Sequence, residues 1–313
     1  MTASNTKVIA GNKKNAIKSS TSRKVFTVCN TIFFIFMIFV CFFPMYYVFI
    51  QSVSGGTMGT KAVLWPINFT LQNYADTLKI GEIGHAFLIS IARTVVGSAG
   101  HVMCCMLLGY LFTKDSLPFR KVLYRFMVIT MYVSGGLIPT YLVMKAYGML
   151  NTFWVYVIPG LISAYDTILV KTFVESIPKE LEESAKIDGA STLRVFISII
   201  LPLSLPIAAT LTIYATNSQW NSWFDNQLYT VTNKKLTTLQ LLLYNYLNSA
   251  EAMIERLYED STAEITNMDE VLKMTPRGIK MTVTMISVIP IMCVYPFMQR
   301  YLIKGIMIGA VKG

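Results

Sequence analysis

An all-α polytopic membrane protein with six transmembrane helices is the fold class this sequence predicts, and three observations carry it. Only 14% of the 313 residues are charged, against about a quarter in soluble domains, and the mean hydropathy is +0.51. The apolar residues gather in six runs of about 20 residues or more, the length a helix needs to cross a hydrocarbon layer about 30 Å thick. Lysine and arginine collect on alternate connections between those runs, the asymmetry that orients a membrane protein.

The elements follow in chain order. Residues 1–24 form a basic tail carrying Lys7, Lys13, Lys14, Lys18, Arg23 and Lys24 without an acid. That tail resembles the start of a signal peptide, but the uncharged run Val25–Ile50 is too long for a cleaved segment and lacks an A-x-A site, so it reads as a first span. Further spans are predicted at Ala86–Phe112, Phe126–Met144, Asn151–Val170, within Val195–Phe224, and at Met281–Gln299. Pro202 and Pro206 interrupt the 195–224 run, which divides it into an interfacial helix before Pro202 and a span after it. With the N-terminus inside, 17 Lys and Arg fall on inner segments and nine on outer ones, which predicts both termini cytoplasmic. Two long connections, about 51–85 and 225–279, then lie outside. The second carries eight acids against five basic residues, and its stretch Leu239 to Glu259 has helix-forming composition.

The chemistry expected of other classes is missing. The formal charge of +10 raises nucleic acid as a partner, but the basic residues sit between apolar runs, which favours lipid and no nucleic acid. No phosphate-binding loop, metalloprotease helix or nucleophile elbow occurs, and the chain has two histidines, His85 and His101. The sequence therefore predicts a protein that is not an enzyme and holds no metal or cofactor. Cys29, Cys41, Cys104, Cys105 and Cys293 lie in apolar runs without ligand spacing and read as small buried residues. Three ionisable residues fall within spans: Arg93 reads as snorkelling outward, Asp166 as interfacial or capping, and His101 as a packed helix histidine. A secondary carrier would need an ionisable constellation or a repeat, and neither is apparent.

The most informative segment is 176–202, on the cytoplasmic side. Pro178 suits a first helical turn, and Glu180, Glu182 and Glu183 suit the positive end of a helix dipole. Gly189 can end that helix in the left-handed conformation, and Ser191 can cap a second helix. Composition and period leave this pair equally readable as a solvated amphipathic loop.

The residues Glu183-Ser184-Ala185-x-x-x-Gly189, followed by Ile199-x-Leu201-Pro202, resemble the EAA loop of ABC-importer permeases. Ser184 stands where the motif's first alanine is usual, a small change within a helix. Ser134 to Tyr141 (SGGLIPTY), Asn221 to Phe224 (NSWF), Tyr295 to Arg300 (YPFMQR) and the ending Lys304 to Gly313 look like carbohydrate importers of the maltose-permease type, in the branch that imports oligosaccharides and polysaccharide fragments.

That resemblance implies cytoplasmic coupling helices between spans four and five and a long extracellular loop between spans five and six, in a multi-pass subunit of a bacterial cell membrane. It implies partners: a second, non-identical permease, an ABC ATPase dimer that holds ATP and Mg, and an extracellular solute-binding protein. It also implies ATPase coupling through Glu182, Glu183, Ser184, Ala185, Asp188, Gly189, Ala190, Ile199, Leu201 and Pro202. A sugar path is expected at the outer end of the fifth span. There Asn217, Gln219, Trp220, Asn221 and Trp223 bring together amides and aromatic faces suited to hydroxyls and to a sugar's C–H face. Trp220, Trp223 and Phe224 should share one helix face, with membrane anchoring as the other reading of Trp223.

Overall fold

The computed structural model describes residues 21–54, 64–79, 81–248, 280–293 and 296. Among them the chain is helical, with one antiparallel bridge from Ser54 to Phe69 and no strand. It divides into two units, Met1–Tyr47 and Val48–Gly313. The first contains most of α1 (Thr21–Ser52), on which Phe26, Ile32, Phe36, Ile38 and Phe42 are exposed.

The second unit is built around α3 (Gly81–Leu111), preceded by α2 (Gln72–Lys79). After α3 come α4 (Arg120–Thr130), α5 (Leu137–Ala146), a pair of 3-10 turns at Phe153–Tyr156 and Ile158–Gly160, and α6 (Ala164–Glu175). Next are α7 (Glu180–Ile187), α8 (Thr192–Leu203), α9 (Leu205–Asn221) and α10 (Phe224–Tyr229). Residues 239–248 form α11 and Lys280–Cys293 form α12. The expectation of a helix in 239–259 is met over 239–248, and the rest of that stretch lies outside the described residues.

Small residues let α3 sit at the centre, as expected where helices associate by close van der Waals contact. At Gly109 an added Cβ would stand 2.5 Å from Val170 Cγ1 of α6, so only glycine lets the two backbones come this near. Toward one end, Met106 and Tyr110 of α3, Val170 and Val174 of α6, Phe196 and Ile200 of α8, and Leu211 of α9 form one buried cluster. The Tyr110 and Phe196 rings lie 5.3 Å apart. At the other end Ile83, Ala86, Trp220, Leu239, Leu242 and Val283 form a second cluster.

Two helices, Thr21–Ser52 and Glu82–Leu111, are long and apolar enough to cross a membrane, and two bent pairs bring the number to four among the described residues. The predicted spans are less continuous than the apolar runs suggested. The run 126–144 is split into α4 and α5 around Gly135-Gly136, where the turn removes helical hydrogen bonds that an uncharged sequence alone does not reveal. The run 151–170 is two 3-10 turns followed, after a 47° bend, by α6. Pro159 withholds an N–H from the helical ladder, and Ser163 caps α6 by accepting from Asp166 N at 3.2 Å. Asp166 therefore stands in the first turn of a helix that continues to Glu175, and Ser163 rather than Asp166 is the cap.

The break before the predicted fifth span falls at Ser204, two residues beyond Pro202, with an 81° bend between α8 and α9. Pro206 begins α9 favourably, and α8 runs through a five-residue π turn, Phe196–Ile200. Of the cysteines, Cys105 is buried as expected, but Cys29, Cys41 and Cys293 are exposed on their helices.

Candidate functional site: a coupling loop and an outer polar cluster

The segment 176–202 folds as its sequence directs. Glu180, Glu182 and Glu183 occupy the first turn of α7 and Lys186 its last, each complementing the helix dipole. The helix begins at Glu180, with Lys179 as its N-cap, so Pro178 lies just before it. At the other end Ala190 N donates to Ala185 O and Gly189 N to Lys186 O, both at 3.0 Å, and Gly189 has φ +80°. This is a Schellman closure. Ser191 then caps α8 by accepting from Arg194 N at 3.4 Å.

One face of this pair is fastened inward. Glu182 pairs with Lys114, just past the end of α3, and with Lys186 at 2.9 Å, while Tyr110 OH donates to it at 3.4 Å. The Lys114 ammonium sits 4.0 Å above the Tyr110 ring. Burial pushes the Glu182 carboxyl up, but Lys114 and Lys186 together outweigh it and hold the group below the usual carboxylate range. Burial is the largest influence on the Lys114 ammonium and, with the Lys186 charge nearby, lowers it despite Glu182. Ala185, Ala190, Ile199 and Leu201 pack against the buried cluster of Tyr110 and Phe196.

The other face is unpartnered among the described residues. Glu183, Ser184, Asp188 and Pro202 are exposed, as are Leu181, Leu193, Ile197 and, at 86% exposure, Ile187. Of the expected coupling residues, the structure thus turns Glu182, Ala185, Ala190, Ile199 and Leu201 toward the bundle. It leaves Glu183, Ser184, Asp188, Gly189 and Pro202 on the surface.

At the opposite end a polar cluster joins α3, α9, α10 and the 3-10 turns. Arg93, 3% exposed, makes a bidentate ion pair with Asp225. It also donates to Gln219 Oε1 at 3.0 Å and Ser222 O at 3.2 Å, with its guanidinium 4.7 Å over the Tyr156 ring. The expectation that Arg93 snorkels is therefore wrong: an acid 132 residues away removes the need, a pairing no local pattern displays. Tyr156 OH donates to Leu236 O at 2.8 Å and accepts from Asn226 Nδ2 at 2.7 Å. Asn226 Oδ1 accepts from Thr238 N at 2.7 Å.

The expected sugar-path residues separate into two groups. Gln219 lies inside this cluster, also donating to Tyr156 O at 3.2 Å. Trp220 is buried, its Nε1 donating to Ser287 O at 2.8 Å and its ring edge-on to Phe87. Trp223 stacks on Tyr244 with centroids 3.9 Å apart. Asn217 and Asn221 are exposed and bonded to each other at 2.9 Å. Because α9 ends at Asn221, Trp220 does not share a helix face with Trp223 and Phe224 as expected. Beside the cluster is a pocket of about 640 Å³ lined by His85, Asn226, Gln227, Thr237 and the exposed Lys234 and Lys235. Among the described residues no group of three or more His, Cys, Asp or Glu could hold a metal ion.

The chain is similar to Protein LplC of Bacillus subtilis (strain 168), 35% identical over 93% of this chain and 96% of that protein. It is also similar to the polygalacturonan/rhamnogalacturonan transport system permease protein YtcP of the same organism, 33% identical over 90% of this chain and 96% of that one. The crystal structure of a bacterial ABC transporter involved in the import of the acidic polysaccharide alginate shares the fold, with TM-score 0.77 and 24% identity over 91% of this chain and 99% of that chain. A helix pair closed by a left-handed glycine, a bundle of bent apolar helices and a family model matched over residues 105–308 agree: the chain belongs to the binding-protein-dependent transport system inner membrane component family.

Proposed function

We propose that this chain is the permease subunit of an ATP-driven importer for oligosaccharides or polysaccharide fragments. It forms half of the translocation path with a second, non-identical permease and couples to an ABC ATPase dimer through 176–202. The observation that carries this reading is the two-sidedness of α7: Glu182 ties one face to the helix bundle, while Leu181, Glu183 and Ile187 are exposed with no partner among the described residues. Such a lever can be pushed from outside and passes the motion to α3 through Lys114. ATP and Mg belong to the partner ATPase, which does the hydrolysis. The carbohydrate assignment is supported by the similarity to the polygalacturonan/rhamnogalacturonan permease.

Six spans with both termini cytoplasmic agree with the Lys and Arg asymmetry and place 225–279 outside, where a solute-binding protein would dock. On the sugar path, Asn217 and Asn221 offer exposed amides, while Gln219, Trp220 and Trp223 hold the wall behind them. Crosslinking from position 183 in the assembled transporter tests the reading. Capture of the ATPase is the expected result, and failure from 181, 183 and 187 together would overturn it.

A further inference from the structure

We infer that His101, Asp166 and the Gly160 carbonyl form a buried site for one proton, which clips together the two sides of the break in the fourth span. His101 and Asp166 are 8% and 9% exposed. His101 Nδ1 lies 2.7 Å from Gly160 O, and a carbonyl has no proton to give, so Nδ1 carries the hydrogen and donates. Nε2 then faces Asp166 Oδ2 at 3.0 Å. A neutral imidazole with its proton on Nδ1 would set a lone pair against a carboxylate there, which repels. One further proton, carried on Nε2, turns the contact into a hydrogen bond donated to the carboxylate.

With that proton the pair is net neutral. Without it a single negative charge is left inside a predicted span, where unpaired charge is costly. The other titratable groups near the pair do not alter this. Cys105 of α3 lies 3.7 Å from Nε2, and its thiol has the Leu161 and Ser163 carbonyls as acceptors, each at 3.9 Å. The turn Ile158–Gly160 carries no titratable side chain, Tyr156 is bonded into the outer cluster, and Tyr214 of α9 is exposed. On α6, Tyr165 is exposed and Lys171 pairs with Glu175.

The placement gives the proton a mechanical effect. Gly160 precedes the 47° bend and Asp166 follows it, so one imidazole on α3 holds both sides. Beyond the bend α6 runs directly toward α7. Loss of the proton keeps the Gly160 bond and sets the Asp166 side free, loosening the path from the break to the coupling loop.

The chain's two histidines make the site directly observable. The full chain, labelled with nitrogen-15 histidine in lipid nanodiscs, should show N–H signals from both ring nitrogens of His101 near neutral pH. Asp166→Asn, whose carboxamide donates to Nε2, should lose one of them, and His101→Gln assigns the signals. A single His101 N–H in the unaltered chain would overturn the inference. Spin labels at the exposed positions 154 and 172 report the bend. The distance distribution should broaden reversibly at alkaline pH and stay unchanged in Asp166→Asn, which leaves a neutral imidazole and no carboxyl and so has no proton to lose there. A distribution independent of pH in the unaltered chain would equally overturn it.

Discussion

The two ends of the bundle, outer and inner on the proposed topology, handle charge in opposite ways. Outside, Arg93 is 3% exposed and its donors are taken up by Asp225, Gln219 and Ser222, which fastens two helices and a loop at a single point. At the other end α7 is held by one polar fastening, Glu182 with Lys114 and Tyr110 of the α3 end, and by the packing of Ala185 on the buried cluster, while its other face is exposed. Redundant bonding fixes a position, whereas a single fastening with a bare face transmits a push. The difference makes the Arg93 cluster a frame and, on the proposed function, the α7 loop the moving part.

The largest effect should come from breaking the frame. Asp225→Ala strands the buried Arg93 guanidinium and should destabilise the chain by about 3 kcal/mol, the scale seen when one partner of a buried pair is removed. Thermal unfolding in detergent would measure it. The double variant Arg93→Met, Asp225→Leu should recover part of the loss, because no unpaired charge remains.

Gly189→Val comes next. A Cβ at φ +80° costs roughly 1–2 kcal/mol and disfavours the Schellman closure, so uptake should collapse while membrane abundance stays near normal. Uptake per molecule at the unaltered level would remove the loop from the moving part.

A smaller effect belongs to the fastening itself. The folded Glu182 carboxyl is held below its ordinary value, so its contribution to stability is present above the ordinary carboxylate range near 4. It disappears as pH falls through the lower folded value. Glu182→Gln should flatten that acid-side loss in a stability-versus-pH series, and an unchanged profile would show that the ion pair does not hold α7. The smallest structural effect is expected for Glu183→Ala: about 0–0.5 kcal/mol on stability, as at an exposed position, with ATPase co-purification reduced. Reduced stability with undiminished co-purification would make Glu183 part of the frame.

The coupling loop was legible because its determinants are local. Three acids at a helix start, Gly189 at a helix end and Ser191 as a cap each act within five residues. Spans were legible as apolar runs, but not their interruptions, since an uncharged sequence satisfies either a straight helix or one broken at Gly135-Gly136 or Pro159. The outer cluster was illegible for the opposite reason: Arg93, Tyr156 and Asp225 are brought together only by the tertiary fold. The unexplained charge at position 93 was the one available hint. It gave no partner, and tryptophans at a helix end look alike whether they anchor in lipid or, as Trp220 does, bond to a backbone carbonyl inside.

The π turn at Phe196–Ile200 has a genetic consequence. A π turn accommodates one residue more than the α-helix around it, and each residue of an α-helix turns the chain by about 100°. Loss of a single codon within 196–200 would let the segment relax to α-helix. It would also swing everything upstream, Gly189 and α7 included, about a quarter turn around the α8 axis, and bring Gly189 one residue nearer in sequence to Leu201-Pro202. The direction in which this loop points is therefore set by one inserted residue, and a single deletion re-aims its exposed face.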